Sequence, residues 1–478
     1  MLFNSYEFIF LFLPVTFYVF FTIGKYCRNY AICWLVMMSF VFYAYWDYRY
    51  VPLLFCSILF NYFIGRRVEQ HRSRYWLFVG IVFNIGLLGY FKYTDFFLTT
   101  INVLVAVDYF DLPHIVLPLG ISFFTFTQTA YLIDAYRGKT KNVSFTTYCA
   151  FVTIFPHMIA GPILNHREMI PQFTATSAFV INYKNVALGI TIFTMGLFKK
   201  VIIADRLSPW VEDVFSHTDA VTFLEAWIGA LSYTFQLYFD FSGYSEMAIG
   251  LGLLFNLKLP VNFNSPYQAT SIIDFWRRWH MTLGLWVRDY LYIPLGGNRC
   301  GELSKMKNLF LSMLIIGLWH GAGWTFIWWG AMHGIALMVN HQWRRLHITL
   351  PKPMNWAMTF LCVSVLWVFF RAGNVSEAWN MIHVMAGMNG VALPYSGAYE
   401  YLLSNFHIAH TAWVIHEPLG KTIRTLLIIS VALVVMKNPI VYAKRFKANR
   451  KWLAFTLLLA LITIYKMNTN TEFLYFQF

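Results

Sequence analysis

The stretch Asp274-Phe-Trp-Arg-Arg-Trp-His280-Met-Thr-Leu-Gly-Leu-Trp-Val-Arg288-Asp289-Tyr290-Leu-Tyr292-Ile-Pro-Leu-Gly296-Gly297-Asn-Arg299 concentrates arginines, a histidine and tryptophans in a chain that is otherwise mostly apolar. A second unusual string, Gly317-Leu-Trp-His320-Gly321-Ala-Gly323-Trp324, places a histidine inside an apolar hairpin. An ionisable side chain at membrane depth is costly and indicates a functional site by default. Two such strings close together in sequence predict an enzyme built into the bilayer.

The composition indicates the class of protein. The 478 residues are 58% hydrophobic, 20% aromatic and only 12% charged, which excludes an ordinary soluble domain. Repeated apolar stretches of about 20 residues predict an all-α polytopic membrane protein, with one membrane-embedded domain over residues 1–478. The net charge of +14 is assigned to cytosolic loops and anionic headgroups. Nucleic-acid binding is not expected, because no basic stripe lies on a soluble module.

The apolar pattern predicts about ten full crossings plus re-entrant hairpins around a central channel. Basic clusters at 66–74 and 437–451 are placed in the cytosol by the positive-inside rule, which puts both termini outside the cytoplasm. Two further apolar stretches, 147–163 and 308–340, are interrupted by glycine or proline and are expected to wall the channel. The predicted crossings are 6–23, 30–46, 50–64, 75–91, 113–133, 185–203, 223–239, 354–370, 422–436 and 452–466.

His320 is the first candidate catalytic residue. It lies twelve residues after Asn308, which as helix is a rise of roughly 18 Å and passes the middle of a hydrocarbon core of about 30 Å. A neutral imidazole at that depth can act as a general base, and the flanking glycines allow a substrate to approach the backbone. The alternative is a histidine that only bonds a neighbouring helix, but the glycine-broken context favours a functional role.

His280 lies in a segment that is expected to form an amphipathic helix at the cytosolic interface, with Trp276 on its apolar face. Arg277, Arg278 and Arg288 are suited to hold phosphates through charge-assisted hydrogen bonds. This surface fits a phosphate-bearing donor such as a coenzyme A thioester. Arginines that only extend to lipid headgroups explain the same pattern.

Polar side chains in the segment 236–250 are interpreted as structural. Asp240 and Glu246 need partners near the membrane interface, for which Arg277 or Arg278 are the candidates. Small residues such as Ser242 allow close helix packing.

No metal site is predicted. His333 lies thirteen residues beyond His320 on the same hairpin, but no third ligand is evident. The six cysteines match no metal-binding spacing.

The last string, Glu472-Phe-Leu-Tyr475-Phe-Gln-Phe478, is aromatic and follows the last predicted crossing. Aromatic residues at a membrane interface are one explanation. A second is the remnant of a protease-cleavage tag, but the match is imperfect at Phe473 and Phe478. We therefore take the string as native, and the Tyr475 hydroxyl could then fold back into an outer funnel.

Together these residues resemble the membrane-bound O-acyltransferase superfamily, most closely its bacterial branch that acetylates alginate and related polysaccharides. The resemblance runs over nearly the full length of the chain. It is carried by Leu117-Pro-Leu-Gly-Ile-Ser-Phe-Phe-Thr-Phe126, Ile133-Asp-Ala-Tyr-Arg137, Phe155-Pro-His-Met-Ile-Ala-Gly-Pro162, Tyr238-Phe-Asp-Phe-Ser-Gly-Tyr244, Phe275-Trp-Arg-Arg-Trp-His280, Arg288-Asp-Tyr-Leu-Tyr292, Gly317-Leu-Trp-His320 and Phe473-Leu-Tyr-Phe-Gln-Phe478.

The resemblance implies site residues. His320 is then the catalytic histidine of a buried Trp-His-Gly motif, and His280 is a second important histidine nearer the donor. Tyr475 is then a candidate acyl acceptor in a tail motif. Residues expected to support the channel are Asp240, Ser242, Glu246, Asp289, Tyr290 and Trp319.

The resemblance also implies an activity. Such a protein takes acetyl from cytosolic acetyl-CoA, with no permanently bound cofactor, and passes it across the bacterial inner membrane. An extracytoplasmic partner of the SGNH type, with a Ser-His-Asp site, then acetylates an alginate-like exopolysaccharide, cellulose or peptidoglycan. Membrane lipids are the other expected partners.

Two alternatives remain open at the level of sequence. A transporter of a sugar or lipid-linked intermediate also needs broken helices and buried polar groups, although the charged motif has no counterpart in the other half of the chain. A scaffold that only anchors a polysaccharide synthase is the third hypothesis.

Overall fold

The structure is a computed structural model, and almost every element in it is a helix. It describes residues 1–299, 301–388, 390, 392–394, 409–411, 414–435, 438, 441, 443, 446–467 and 473–474. The α-helices are α1 (Leu13–Gly24), α2 (Arg28–Asp47), α3 (Val51–His71), α4 (Arg74–Leu88), α5 (Thr94–Val105), α6 (Ile121–Tyr136), α7 (Phe145–Thr153), α8 (His166–Thr174), α9 (Tyr183–Phe198), α10 (Asp205–Phe215), α11 (Phe223–Leu254), α12 (Ile272–Trp276), α13 (Met281–Val287), α14 (Gly301–His320), α15 (Trp324–Arg345), α16 (Lys352–Arg371), α17 (Val375–Met385), α18 (Leu419–Val435) and α19 (Arg450–Lys466).

Short elements extend or join these helices. Wide π-type turns occur at Phe8–Phe12, Gly89–Tyr93, Lys199–Ala204 and Arg288–Tyr292, and 3₁₀ turns at Tyr48–Tyr50, Thr176–Phe179 and Pro266–Gln268. Strand β1 (Ala392–Pro394) pairs in parallel with β2 (Ala409–Thr411), with Ala392 opposite Ala409.

Several helical stretches are long and apolar enough to cross a membrane. Among the described residues these are Arg28–His71, Arg74–Val105, Tyr183–Phe215 and Lys352–Arg371, and Phe8–Gly24 is a shorter apolar helix. The predicted all-α membrane architecture is confirmed. The number of crossings stays a prediction.

One predicted crossing, 113–133, is wrong in its first part. Helix α6 begins only at Ile121, because Gly120 before it adopts a left-handed φ of +71° and Pro118 cannot donate a backbone hydrogen bond. The interruptions of the other two stretches are confirmed. Helix α7 ends at Thr153, and α14 and α15 are separated by Gly321–Gly323.

Helix α11 is the central element of the fold. Every residue from Ser232 to Leu254 is buried, as expected for a helix that is enclosed by others. It lies directly against α9. An added Cβ at Gly250 would lie 2.6 Å from the Gly189 carbonyl oxygen, and one at Gly196 would lie 2.5 Å from that of Gly243. Glycine at these crossing points therefore allows the two backbones to meet.

The amphipathic helix predicted around His280 is wrong. The segment forms two short helices, α12 and α13, and His280 separates them with a φ of +43°. The ring of Trp279 and the imidazole of His280 are both buried. Burial of these side chains among other helices, rather than at a flat interface, accounts for the break.

Candidate active site

The end of α14 fixes the position of His320. The last carbonyl groups of a helix lack partners within the helix, and three of them are capped here by side chains of the turn after α4. Lys92 Nζ donates to the carbonyl oxygens of Trp319 (2.6 Å) and His320 (2.9 Å), and the Tyr93 hydroxyl donates to that of Leu318 (2.6 Å). Lysine side chains commonly donate in this way to the last carbonyl groups of a helix.

The His320 side chain faces protein rather than lipid. It is 6% exposed, and its ring centroid lies 4.9 Å from Trp319, 5.3 Å from Trp329 and 5.1 Å from Phe370. A Cβ at Gly321 would overlap the ring of Phe326, so glycine is needed for the chain to turn immediately after the histidine. These contacts place the imidazole in an aromatic enclosure at the point where the hairpin breaks.

His280 is held in one defined tautomer. Its Nδ1 lies 3.0 Å from Asn262 Oδ1. Asn262 Oδ1 also lies 2.9 Å from Thr282 Oγ1 and 3.3 Å from the Thr282 backbone nitrogen. Because a backbone N–H can only donate, this atom of Asn262 is the amide oxygen and His280 Nδ1 carries the proton. His280 Nε2 is therefore the basic nitrogen. It is fully buried and has no hydrogen-bond partner among the described residues.

The two predicted catalytic histidines share one aromatic neighbour. The ring of Trp319 lies 6.2 Å from that of His280 and 4.9 Å from that of His320. Phe241 of α11 packs edge-on against His280 at 4.9 Å. The structure thus brings together residues that the sequence separates by forty positions.

His333 also packs against Trp329. Trp276 Nε1 donates to His333 Nδ1 at 3.4 Å, and the rings of Trp329 and His333 are 4.8 Å apart. Within the described part of the chain, no group of three His, Cys, Asp or Glu side chains is arranged to hold a metal ion.

Three of the predicted donor-binding residues line one cavity. Trp276, Arg277 and Arg288 border a space of ≈520 Å³ that extends to Ile316, one helical turn before His320. Arg278 has a different role, because its Nε donates to Asp274 Oδ1 at 2.9 Å.

A smaller cavity of ≈190 Å³ touches another face of α13, and Thr282 and Arg288 line it. Arg288 Nε donates to Asp289 Oδ1 at 2.7 Å. This hydrogen bond raises the pKa of Arg288, so its guanidinium stays charged at the shared edge of both cavities. The Tyr290 hydroxyl, also on this wall, donates to the buried Asp134 Oδ2 at 2.9 Å.

The carboxylates of α11 are paired with lysines. Asp240 Oδ1 lies 2.6 Å from Lys200 Nζ, and Glu246 Oε1 lies 2.5 Å from Lys199 Nζ, which also donates to Ser242 Oγ at 3.5 Å. The predicted pairing with Arg277 or Arg278 is wrong. Both lysines follow α9, which packs against α11, whereas α12 does not supply a partner for either carboxylate.

Tyr475 lies outside the described residues. The two residues before it are described, and Phe473 and Leu474 are both buried.

Sequence reasoning missed Lys92, Asn262 and Thr282. The rule that selected His320 also applies to Lys92, a lone lysine in an apolar stretch. No sequence signal distinguishes Asn262, because its role arises only where the chain brings it beside His280.

Comparison with known proteins places this arrangement in a family. Residues 13–375 match the family model described as MBOAT, membrane-bound O-acyltransferase family. The chain belongs to the membrane-bound O-acyltransferase family. The match includes His280, His320 and Lys92. Membership of this family shows that the protein is an acyltransferase, which answers against the transporter and scaffold hypotheses.

Individual proteins that are similar to this chain are named as acyl-group transferases. It is 44% identical to the peptidoglycan O-acetyltransferase of Helicobacter pylori, with 100% of this chain and 98% of that protein covered. It is 45% identical to a probable alginate O-acetylase of Azotobacter vinelandii, over 80% of this chain and 78% of that one. A teichoic acid D-alanyltransferase of Streptococcus thermophilus is 27% identical over 49% and 59%.

Proposed function

We propose that this acyltransferase takes an acetyl group from cytosolic acetyl-CoA and passes it across the bacterial inner membrane for O-acetylation of a polysaccharide. The observation that carries the proposal is the pair of buried histidines on Trp319, one of which presents an unpaired basic nitrogen. The names of the relatives that cover most of the chain support acetyl as the group transferred.

The donor enters beside α13. The arginines that border the ≈520 Å³ cavity bind the phosphates of coenzyme A through charge-assisted hydrogen bonds. The apolar lining that continues to Ile316 accepts the pantetheine arm and directs the thioester toward His320.

The chemistry is acyl transfer to a hydroxyl. His320 takes the proton of the acceptor hydroxyl while the oxygen attacks the thioester carbonyl carbon. The carbon–sulfur bond breaks, and the departing thiolate of coenzyme A receives the proton from His320. His280, fixed by Asn262, offers Nε2 as a hydrogen-bond acceptor on the donor side. The acetyl ester remains on the acceptor oxygen.

The acceptor lies on the outer side of the membrane. The Tyr475 hydroxyl is the proposed first acceptor, and an SGNH-type partner with a Ser-His-Asp site then delivers acetyl to the polymer. The match over 100% of this chain to a peptidoglycan O-acetyltransferase favours peptidoglycan as that polymer. Both termini then lie outside the cytoplasm.

The test is turnover of radiolabelled acetyl-CoA by purified protein in detergent. We expect His320→Ala and His280→Ala each to lower turnover by roughly 10²- to 10⁴-fold, the range for loss of a general acid–base group. His383→Ala is the matched control, because His383 is exposed on α17. We expect this variant to retain native turnover. Native turnover in both buried-histidine variants would refute the proposal.

A further inference from the structure

Lys200 lies at the centre of an ionic cluster that joins the turn after α9 to Asp205 of α10 and Asp240 of α11. Lys200 Nζ is 2.6 Å from Asp240 Oδ1 and 2.8 Å from Asp205 Oδ1. The side chains of Lys200 and Asp240 are each only 2% exposed. Removing two charges from water is expensive, and well-packed apolar residues of similar volume are often at least as stable. Stability alone therefore does not account for this pair.

The second oxygen of Asp240 binds the end of the chain. The Leu474 backbone N–H donates to Asp240 Oδ2 at 3.1 Å, across 234 positions of sequence. Phe473 lies over Lys200, with Nζ 4.8 Å from the ring centroid, and packs edge-on against Tyr244 at 4.6 Å. Chain ends are usually loose unless specific contacts tie them down. Here the Asp240 carboxylate binds Leu474, and the Lys200 ammonium group and the Tyr244 ring contact Phe473.

The docking point adjoins the histidine site. Asp240 and Phe241 are consecutive on α11, and Phe241 packs against the ring of His280. The same helix therefore fixes the residue immediately before Tyr475 and supports the histidine that shares Trp319 with His320.

We infer that the Lys200–Asp240 pair is a docking site that positions the C-terminal segment for acyl transfer. The inference rests on the proposed function and deepens it, since it assigns these residues to delivery of the acceptor segment. Lys200 and Asp240 are positioning residues, because neither contacts the reacting atoms. Oδ2 binds the Leu474 N–H, and Lys200 stabilises the charged carboxylate and holds the Phe473 ring.

The test removes Lys200 and Asp240 together, so that neither is left fully buried without the other. Asp205 loses Lys200 as a partner, but its side chain is 13% exposed. Lys200→Met combined with Asp240→Leu keeps the side-chain volumes close to the native ones. The matched control is Lys199→Met with Glu246→Leu, because this ion pair also joins the turn after α9 to α11, whereas the Leu474 N–H binds Asp240 and the Phe473 ring lies against Lys200.

Docking is measured directly by thiol labelling. Leu474→Cys, which keeps the backbone N–H, is introduced into a chain whose six native cysteines are serine. In detergent, we expect maleimide to modify this buried cysteine roughly tenfold or more faster in the Lys200/Asp240 variant, as a locally released segment would be. The labelling rate in the Lys199/Glu246 control stays near that of the parent. Equal rates in all three proteins, or equal acceleration in both variants, would overturn the inference.

The second measurement separates acetyl transfer from hydrolysis of acetyl-CoA. Loss of docking should lower transfer roughly tenfold while hydrolysis continues, because the histidine site is intact but the acceptor segment is displaced. Unchanged transfer despite faster labelling would overturn the positioning role. If native protein does not consume acetyl-CoA, the proposed function fails, whereas labelling still decides whether Lys200 and Asp240 dock the tail.

Discussion

At the scale of single residues, the geometry of the proposed site is set by side chains that surround the two histidines. Asn262 determines which nitrogen of His280 is basic. The Thr282 backbone N–H donates to Asn262 Oδ1 and so fixes the orientation of the Asn262 amide. The Thr282 hydroxyl is also an acceptor for the Ile163 N–H at 3.0 Å. The broken segment after α7 is thereby joined to the histidine.

We predict that Asn262→Leu lowers acetyl-CoA turnover by roughly 10²-fold or more, because His280 loses the acceptor that fixes its tautomer and ring orientation. Asn262→Asp retains an acceptor oxygen and should keep most of the activity. Turnover is compared with the thermal unfolding temperature of each variant, so that loss of folding is distinguished from loss of orientation. An Asn262→Leu protein with native turnover would contradict this role of the amide.

The residues of the candidate site differ in how readily the sequence alone identifies them. His320 stands out because it is ionisable in an apolar hairpin flanked by glycines. Lys92 is also ionisable in an apolar stretch. Its role is to cap the end of α14, which is more than two hundred positions away in sequence, so the sequence does not show it. The partners of Asp240 were misassigned for a related reason, since charge alone does not distinguish nearby arginines from lysines on another helix.

At the scale of elements, the contact between α9 and α11 supports the rest of the site. α11 carries Asp240 and Phe241, and α9 leads directly into Lys199 and Lys200. The helices themselves follow from apolar periodicity and were predictable. Their crossing was not, because it depends on glycines that face each other only in the folded chain.

We predict that Gly250→Ala destabilises the protein, because the new Cβ would lie 2.6 Å from the Gly189 carbonyl oxygen and 2.7 Å from the Phe193 nitrogen. Neither backbone atom can move without separating the two helices. Overpacking of this kind costs about 1–3 kcal/mol, seen as a lower unfolding temperature in detergent. Gly86→Ala on α4 is the control, because within the described chain its added Cβ would meet no atom within 4 Å beyond its own neighbours and helix backbone. Equal unfolding temperatures for the two variants would argue against close packing of α9 and α11 at Gly250.

Local backbone conformation limited the prediction of short elements. A helical pattern runs through residues 272–290, but the left-handed conformation of His280 divides it. Gly120 similarly delays the start of α6. Tertiary contacts impose these conformations, so hydrophobic periodicity alone does not show them.

At the scale of the whole molecule, the distribution of basic residues supports the proposed cytosolic entrance for the donor. The two cavities beside α13 share Arg288. Tyr290, which lines the smaller one, donates to Asp134, and Arg137, Lys139 and Arg167 surround that carboxylate. The positive-inside rule places such a group on the cytosolic side. The tail docks elsewhere, on Asp240 of the central helix.

This asymmetry makes a prediction for sealed membranes. Acetyl-CoA does not cross a bilayer, so inside-out vesicles should consume external acetyl-CoA, whereas right-side-out vesicles should do so only after detergent opens them. Vesicles that contain His320→Ala should remain inactive in both orientations, which separates this enzyme from other acetyl-CoA hydrolases. Label recovered in the interior of inside-out vesicles would show passage of the acetyl group. Equal turnover by intact vesicles of both orientations would contradict a cytosolic donor entrance, because the arginine-lined cavities would then open on the wrong face.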